Sequence, residues 1–446
     1  GSEMCIRDSN LTASFVQLCL AQSCGKCVPC RVGLDRLHAL LEKILDGRGT
    51  TDDLRAVRRS AAAIYDSADC AIGFEAARLV LDGLEAFRDD YMSHIENGVC
   101  TAAFDAVPCV AGCPANVDVP GYIALIREER YADAVRLIRK DNPFPGVCGL
   151  ICEHPCEKRC RRILIDAPLN IRGIKKMAVD QVAADSVATP ERLPDSGKRI
   201  AVVGGGPSGL TCAYYAALMG HSVTVFEANH SLGGMMRYGI PACRFPRERL
   251  DEDIRAILSV GNIEVKCDAR IDAVAMAKIN DEFDAVYVAI GAQLGKTLKL
   301  ENGDAEGVVS AVDLLQKIGD GEYPDFSGKK VVVVGGGNVA MDCARTSVRA
   351  GASEVTVAYR RRQSDMTALV DEVEAAVAEG VEMAVLEAPA RVEVDESGHC
   401  AALITQPQMI GAVKRGRPAP VAANKPERRI EADVILIAVG QDNYVD

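Results

Sequence analysis

KRIAVVGGGPSGL at 198–210 and KKVVVVGGGNVAMD at 329–342 decide the fold. Each sets an apolar run before three glycines and then a helix-forming stretch, the order of a parallel strand, a tight turn and a helix. Each copy is followed by a matching strand-like run, DAVYVAIGA at 284–292 and ADVILIAVGQ at 432–441. A βαβ unit used twice predicts an α/β chain whose C-terminal half holds two nested Rossmann-like dinucleotide-binding domains.

A lone G-x-G-x-x-G is weak evidence, because glycine turns also join strands to helices for packing alone. Context adds to it here. Gly204, Gly206 and Gly209 follow the run 199–203, and Pro207 and Ser208 open the helix, so N–H groups and a helix dipole would face a pyrophosphate. Glu227 ends the next strand, SVTVFE, where a carboxylate can accept both hydroxyls of an adenosine ribose. The second unit has Gly335, Gly337, Asn338 and Ala340, and its strand EVTVAY ends in Arg360, Arg361 and Arg362 instead of an acid. Guanidinium groups suit a 2′-phosphate, which favours NADP(H) over NAD(H). The competing reading of the arginines is a solvated charged loop.

The N-terminal half is organised by cysteine. SCGKCVPCR at 23–31 spaces Cys24, Cys27 and Cys30 by two residues each, and Cys70 in DSADCAIGFE lies in a turn between two predicted helices. Three thiolates so spaced can wrap an iron-sulfur cube with a fourth from elsewhere, so a [4Fe-4S] cluster on Cys24, Cys27, Cys30 and Cys70 is expected. Tetrahedral zinc and unliganded thiols are the alternatives. A second set comprises Cys109, Cys113, Cys148, Cys152, Cys156 and Cys160, with Cys100 nearby. Cys113, Cys152, Cys156 and Cys160 are assigned a second [4Fe-4S] cluster. Cys100, Cys109 and Cys148 are read as inert thiols, with a further cluster as the alternative.

Composition agrees. The chain has 446 residues, 18 cysteines, no tryptophan and a formal charge of -12. Its length predicts several domains. A basic stripe for nucleic acid is missing, and no run approaches the roughly 18 apolar residues of a membrane span. Tightly spaced cysteines in a large chain read as metal ligands in a reducing, cytoplasmic compartment. The six histidines form no triad or ligand-spaced group.

SCGKCVPCRVG with DCAIG resembles the C-terminal iron-sulfur motif of the NADH-binding flavoprotein subunit of respiratory complex I and its hydrogenase and formate dehydrogenase relatives. PCVAGCPANVDVP, NPFPGVCGLICEHPCEKRC and NIRGIKKM resemble the iron-sulfur region of the glutamate synthase small subunit, dihydropyrimidine dehydrogenase and bifurcating transhydrogenases, a similarity that runs on to the C-terminus. These resemblances imply FAD at the first glycine loop, with LGGMMRYGIP at 232–241 (Gly233, Gly234) and Gly291 near the flavin. They also imply two clusters in the second cysteine region. The chain departs from that pattern at Phe104, which replaces a cysteine, at Lys175, which replaces a Gln or Glu ligand, and at Thr367, which replaces a proline. It also stops at AVGQDNYVD, where relatives continue with a segment that closes the flavin pocket.

The expected organisation is a non-native or disordered stretch at 1–19, a helical [4Fe-4S] domain at 20–95 and a mainly α-helical iron-sulfur domain at 96–190. A FAD-binding domain at 198–327, with a return strand at 433–446, and an NADP(H)-binding domain at 328–432 complete the chain. The residues 183–197, AADSVATPERLPDSG, read as a linker. Helical periods are expected through Leu34, Leu37, Leu41, Ile44 and Leu45, after a Thr51/Asp52 cap, through Phe74, Leu79, Leu81, Leu84 and Phe87, and at 130–140. The expected function is an iron-sulfur flavoprotein subunit that moves electrons between NAD(P)H, FAD, [4Fe-4S] clusters and a partner subunit of hydrogenase, formate dehydrogenase, transhydrogenase or glutamate synthase type. The alternative is a cluster-bearing relay and docking module with an incomplete flavin domain.

Overall fold

The computed structural model describes residues 8–97, 107–414 and 417–443, so Cys100 and Phe104 lie outside the described residues. The chain divides into two compact units. One takes the described residues up to Asn116 together with Pro155–Leu169, the other Val117–His154 and the described residues from Asn170 onward.

In the first unit, α1 (Asp8–Gln22), α2 (Asp35–Leu45), α3 (Thr51–Ser67), α4 (Ala71–Ala86) and α5 (Arg88–Asn97) form a bundle, with the short α6 (Pro108–Ala111) after it. Leu34, Leu37, Leu41 and Ile44 share a buried core with Val57, Ala61, Ile64, Ala76, Val80 and Leu84. Thr50, one residue before the expected cap, caps α3: its hydroxyl accepts the Asp53 N–H, and the Asp53 carboxylate accepts the Thr50 N–H at 2.9 Å. Two expectations are corrected. Leu79 points outward and Val80 inward, because the phase of α4 is set by Gly73, Ala76, Ala77 and Val80 facing the bundle. Residues 8–19 are part of the fold, since Ala13, Val16 and Cys19 enter the same core at a spacing of three. Small side chains at two of those positions hide the period.

The second unit opens with α7 (Val119–Arg127), α8 (Tyr131–Asp141), α9 (Pro145–Ile151) and α10 (Ile171–Gln181). The expected single domain at 96–190 is therefore divided. Phe144 and Val147 at the start of α9 are buried in one core with Leu210, Tyr214 and Ile254, so the segment folds with the first glycine-loop domain. The 183–197 stretch is also docked. Buried Arg139 donates to the carbonyls of Val187, at 2.9 Å, and Ala184, and Leu193 N–H donates to Leu218 O at 2.9 Å.

A first parallel sheet contains β1 (Arg199–Val203), β2 (Ser222–Phe226), β3 (Ile263–Lys266) and β4 (Ala285–Val288) in the order β3-β2-β1-β4. Its helices are α11 (Pro207–Leu218), α12 (Met235–Tyr238), α13 (Arg247–Leu258) and α14 (Ala273–Glu282). Beyond β5 (Leu294–Gly295) come β6 (Val308–Ser310), α15 (Ala311–Gly319), β7 (Lys330–Val334), α16 (Asn338–Arg349), β8 (Glu354–Tyr359), α17 (Val370–Ala378) and β9 (Glu382–Val385). Next is an antiparallel sheet made of β10 (Glu387–Val394), β11 (Cys400–Lys414), β12 (Arg417–Ala422) and β13 (Arg428–Glu431), and then β14 (Val434–Ile437) and β15 (Gln441–Asp442).

The second parallel sheet has the order β6-β14-β7-β8-β9. This corrects the expected return strand. β14 pairs in register with β7, Val434 against Val331 through Ile437 against Val334, so it completes the second nucleotide domain and not the first. The two echoing runs are then equivalent: β4 lies beside β1 as β14 lies beside β7. Among the described residues, β15 pairs antiparallel with β5, Gln441 against Gly295. Val308 to Ile318 likewise belongs to the second domain, where Ala311, Leu314, Leu315 and Ile318 pack on Val331, Val333 and Leu436.

Candidate iron-sulfur and dinucleotide sites

The cysteine triplet enters a π-helical turn at Pro29–Leu34, which turns Cys30 inward to 3% exposure. Cys70 ends the turn between α3 and α4 and takes the N-cap position of α4. A Cβ on Gly73, one turn into α4, would stand 2.9 Å from the Cys30 sulfur, so the absence of a side chain lets that thiol reach the helix start. Burial, and then the Cys27 thiol beside it, push Cys30 up to about 11, and the charge of Cys70 also acts on it. Cys27 is held below its ordinary value by backbone N–H groups of Asp69 and Cys30. Cys27, Cys30 and Cys70 thus meet where α4 begins, and Cys24 stands exposed on the loop that Arg31 fixes by donating to Gly25 O at 3.2 Å. Among the described residues, no group of three or more His, Cys, Asp or Glu side chains is gathered as for a single ion. The donor set fits a thiolate-held cluster: all soft sulfur, one member buried, and a helix N-terminus that favours negative charge.

For the second cysteine set, the structure places Cys113, Cys156 and Cys160 in the first unit and Cys148 and Cys152 in the second. A Cβ on Gly112 would lie 3.4 Å from Cys156 Cα, which brings the chain before Cys113 against Cys156. Cys152 Sγ accepts the His154 N–H at 3.3 Å, and Arg172 donates to the Cys152 carbonyl at 3.2 Å. Burial raises Cys148, with Lys175 opposing.

At the first glycine loop, Gly204 takes φ +110°, and a Cβ there would meet Ala289 O at 2.3 Å, so only glycine turns the chain beneath β4. Gly206 is the N-cap of α11, Pro207 and Ser208 form its first turn, and Ser208 Oγ is 2.9 Å from Tyr287 Oη. Gly209 is buried where α11 crosses the loop. Gly233 and Gly234 bring a second stretch of bare backbone to the same place: a Cβ on Gly234 would be 2.8 Å from Gly206 Cα. Arg237 donates to Leu232 O at 2.6 Å and Arg247 to Ile240 O at 2.8 Å, which pins both ends of 232–241. Gly291 follows β4 with nothing within 4 Å of its Cβ position.

Glu227 differs in detail from the expectation. It is 3% exposed, and its Oε2 accepts the Gly205 N–H at 2.7 Å while Oε1 accepts the Asn229 N–H at 2.8 Å. The carboxylate therefore braces the loop from below, with lone pairs left for a ribose. A cradle of backbone N–H groups over a buried acid fits an adenine dinucleotide.

The second loop repeats the geometry. Gly335 takes φ +152°, and a Cβ there would meet Ala438 O at 2.3 Å, as at Gly204. Gly337 caps α16, Asn338 Oδ1 accepts the Leu369 N–H at 2.9 Å, and Ala340 is fully buried. Tyr359, which no motif singles out, forms the floor: a Cβ on Gly336 would strike its ring, and its hydroxyl donates to Asp365 O at 2.8 Å. Its position at the end of a strand was visible, its contact was not. Thr367 N–H donates to Gly336 O at 2.9 Å. The arginines part company here. Arg360 is exposed, Arg361 donates to Pro418 O at 2.8 Å, and Arg362 pairs with Asp365 at 2.8 Å and holds that carboxyl below its ordinary range.

With two glycine loops of one geometry in place, comparison with known proteins decides the family. Residues 198–445 and 166–243 match the pyridine nucleotide-disulphide oxidoreductase family. The chain belongs to it. This oxidoreductase also matches the NADH-ubiquinone oxidoreductase-F iron-sulfur binding region over 10–94 and the dihydropyrimidine dehydrogenase domain II, 4Fe-4S cluster, over 88–187. It is 38% identical to the NADPH-Fe(3+) oxidoreductase subunit beta of Geobacter sulfurreducens, over 94% of this chain and 64% of that protein. Identity to the NADP(+)-dependent formate dehydrogenase subunit beta of Moorella thermoacetica is 32%, over 96% of this chain and 70% of the relative. The glutamate synthase [NADPH] small chain of Escherichia coli is 32% identical over 74% and 73%. The chain thus spans slightly under two thirds of the length of the Geobacter relative. The matched families are those of [4Fe-4S] clusters and of a pyridine nucleotide, and among the described residues no helix is long and apolar enough to cross a membrane.

Proposed function

We propose that the chain is the NADP(H)-reacting subunit of a cytoplasmic multi-subunit redox enzyme, passing electrons through FAD and [4Fe-4S] clusters to a partner subunit. One observation carries this reading: one polypeptide joins a thiol-rich helical unit to two glycine loops of matching geometry, the first braced by buried Glu227, the second edged by Arg360. In the proposal, FAD lies on Gly204–Gly209, Glu227, Gly233, Gly234 and Gly291, and NADP(H) on Gly335–Ala340, Arg360 and Arg361. Clusters take Cys24, Cys27, Cys30 and Cys70, and, from sequence spacing, Cys113, Cys152, Cys156 and Cys160. The nicotinamide supplies a hydride, and the flavin, once bound, can release its electron pair singly to clusters. The chain's own part is to position: Arg237 and Arg247 hold the 232–241 backbone, Glu227 fixes the first loop, and Asn338 ties the second loop to Leu369.

The partner is proposed to be a redox subunit of the hydrogenase, formate dehydrogenase, transhydrogenase or glutamate synthase type. A relay and docking module is the second reading, favoured by Tyr287 and Val288, exposed on edge strand β4, and by Ile290, exposed just beyond its end. Anaerobic addition of NADPH to reconstituted protein separates the two. Bleaching of the flavin band with reduction of the clusters supports the first reading, and cluster absorbance with no flavin and no NADPH response overturns it.

A further inference from the structure

The arginine run after β8 is only part of the positive charge gathered at that strand end. β12 pairs antiparallel with β11, Arg417 opposite Lys414, and the pairing carries the start of β12 over the loop that leaves β8. Two bonds fasten it there. Arg361 Nε donates to Pro418 O at 2.8 Å, and Arg417 Nη2 donates to Asp365 O at 3.1 Å, a carbonyl that also takes the Tyr359 hydroxyl. The Asp365 carboxylate is already matched by Arg362. Arg417 therefore adds a charge that this acid does not balance.

Neighbouring arginines behave differently. Arg345 pairs with Glu372 and Glu379, Arg349 with Glu379, Arg391 with Glu427, Arg428 with Glu382 and Arg429 with Glu393. Among the described residues, Arg360, Arg361 and Arg417 have no carboxylate within ion-pair distance, in a chain whose formal charge is -12. Arg361 still acts on Asp365 from beyond ion-pair distance, which leaves Arg360 and Arg417 with charge that a bound dianion would take up. The carbonyl bond uses one of five donors on Arg417 and fixes the side chain, leaving the rest of the fork for a ligand.

We propose that Arg417, from the antiparallel insert, is a specificity-determining residue that closes on the 2′-phosphate of NADP(H) opposite Arg360. The proposal rests on the NADP(H) reading of the second loop. The two strands approach the phosphate from different sheets of the fold, so the site discriminates by a two-sided clamp and not by the β8 arginines alone.

The test is calorimetric titration of the reconstituted full chain with NADPH, NADH, 2′,5′-ADP and 5′-AMP, using wild type, R417A, R417K and R360A. R417A is expected to raise the Kd for NADPH and 2′,5′-ADP about tenfold, the loss of one charge-assisted contact, and to leave NADH and 5′-AMP within about twofold. R417K should recover part of the loss, since it keeps the charge without the fork. The proposal is overturned if R417A leaves NADPH binding unchanged while R360A weakens it, or if R417A weakens all four ligands equally. Wild type binding NADH as tightly as NADPH would overturn the NADP(H) reading itself, and this proposal with it.

Discussion

At the scale of single residues, the buried acids show what charge costs in this fold. Asp253 on α13 is fully buried and accepts the N–H groups of Gly146 at 3.3 Å and Val147 at 2.9 Å. Burial pushes its carboxyl up to about 7, against those N–H bonds and Arg139. Asp342 is also raised by burial to about 7, with Arg244 opposing from 3.2 Å. An unfolded aspartate titrates at about 3.9, so the folded state holds the extra protons between about pH 4 and 7. Each group's stability contribution is full below about pH 4 and is lost as pH rises through about 7, at no more than about 1.4 kcal/mol per pH unit. D253N is expected to flatten one group's share of that decline, read as urea midpoints at pH 5 and pH 8. Curves for mutant and wild type that run parallel would contradict it. C70S is expected to lower iron and acid-labile sulfide without lowering flavin content, measured per chain after anaerobic reconstitution. The candidate thiols were legible at this scale because cysteine spacing is written in the sequence. Glu227 bracing Gly205 and Tyr359 flooring Gly336 were not, because each depends on which backbone the folded chain lays over it.

At the scale of elements, the two strand-loop-helix units succeed because a carbonyl passes close over the first glycine of each. Ala289 O covers Gly204 and Ala438 O covers Gly335, both where a Cβ would stand at 2.3 Å. G335A must therefore shift the loop or β14. It is expected to weaken NADPH binding by more than about tenfold while leaving flavin content unchanged, measured by titration and by absorbance. T50A removes the hydroxyl half of the reciprocal cap of α3 and is expected to cost about 1 kcal/mol, read from the denaturant midpoint of the helical unit. The cap signal was readable to within one residue, as were α2, α8 and both loop strands. The phase of α4 was not, since Leu79 and Val80 are equally apolar and only the bundle decides which one turns inward.

At the scale of the whole molecule, the first unit has a core built on Leu34, Leu37 and Leu41, and the second has separate cores on its two parallel sheets. L41A, at a fully buried position, is expected to cost about 2–5 kcal/mol, to lower the transition of the helical unit and to reduce its iron. NADPH affinity should remain within about twofold, and an equal loss of nucleotide binding would show that the cores are not separate. Periodicity, glycine loops, cysteine spacing and the arginine run were enough by themselves to determine two nucleotide domains that follow thiol-rich helices along the chain, since each is a local pattern that the backbone must obey. Only the tertiary structure decided that β14 joins β7, that α7–α10 fold with the first sheet, and that β12 brings Arg417 to the loop after β8. Those are pairings between residues distant in sequence, fixed by the register of strands and the shape of a shared core, and no local pattern encodes them.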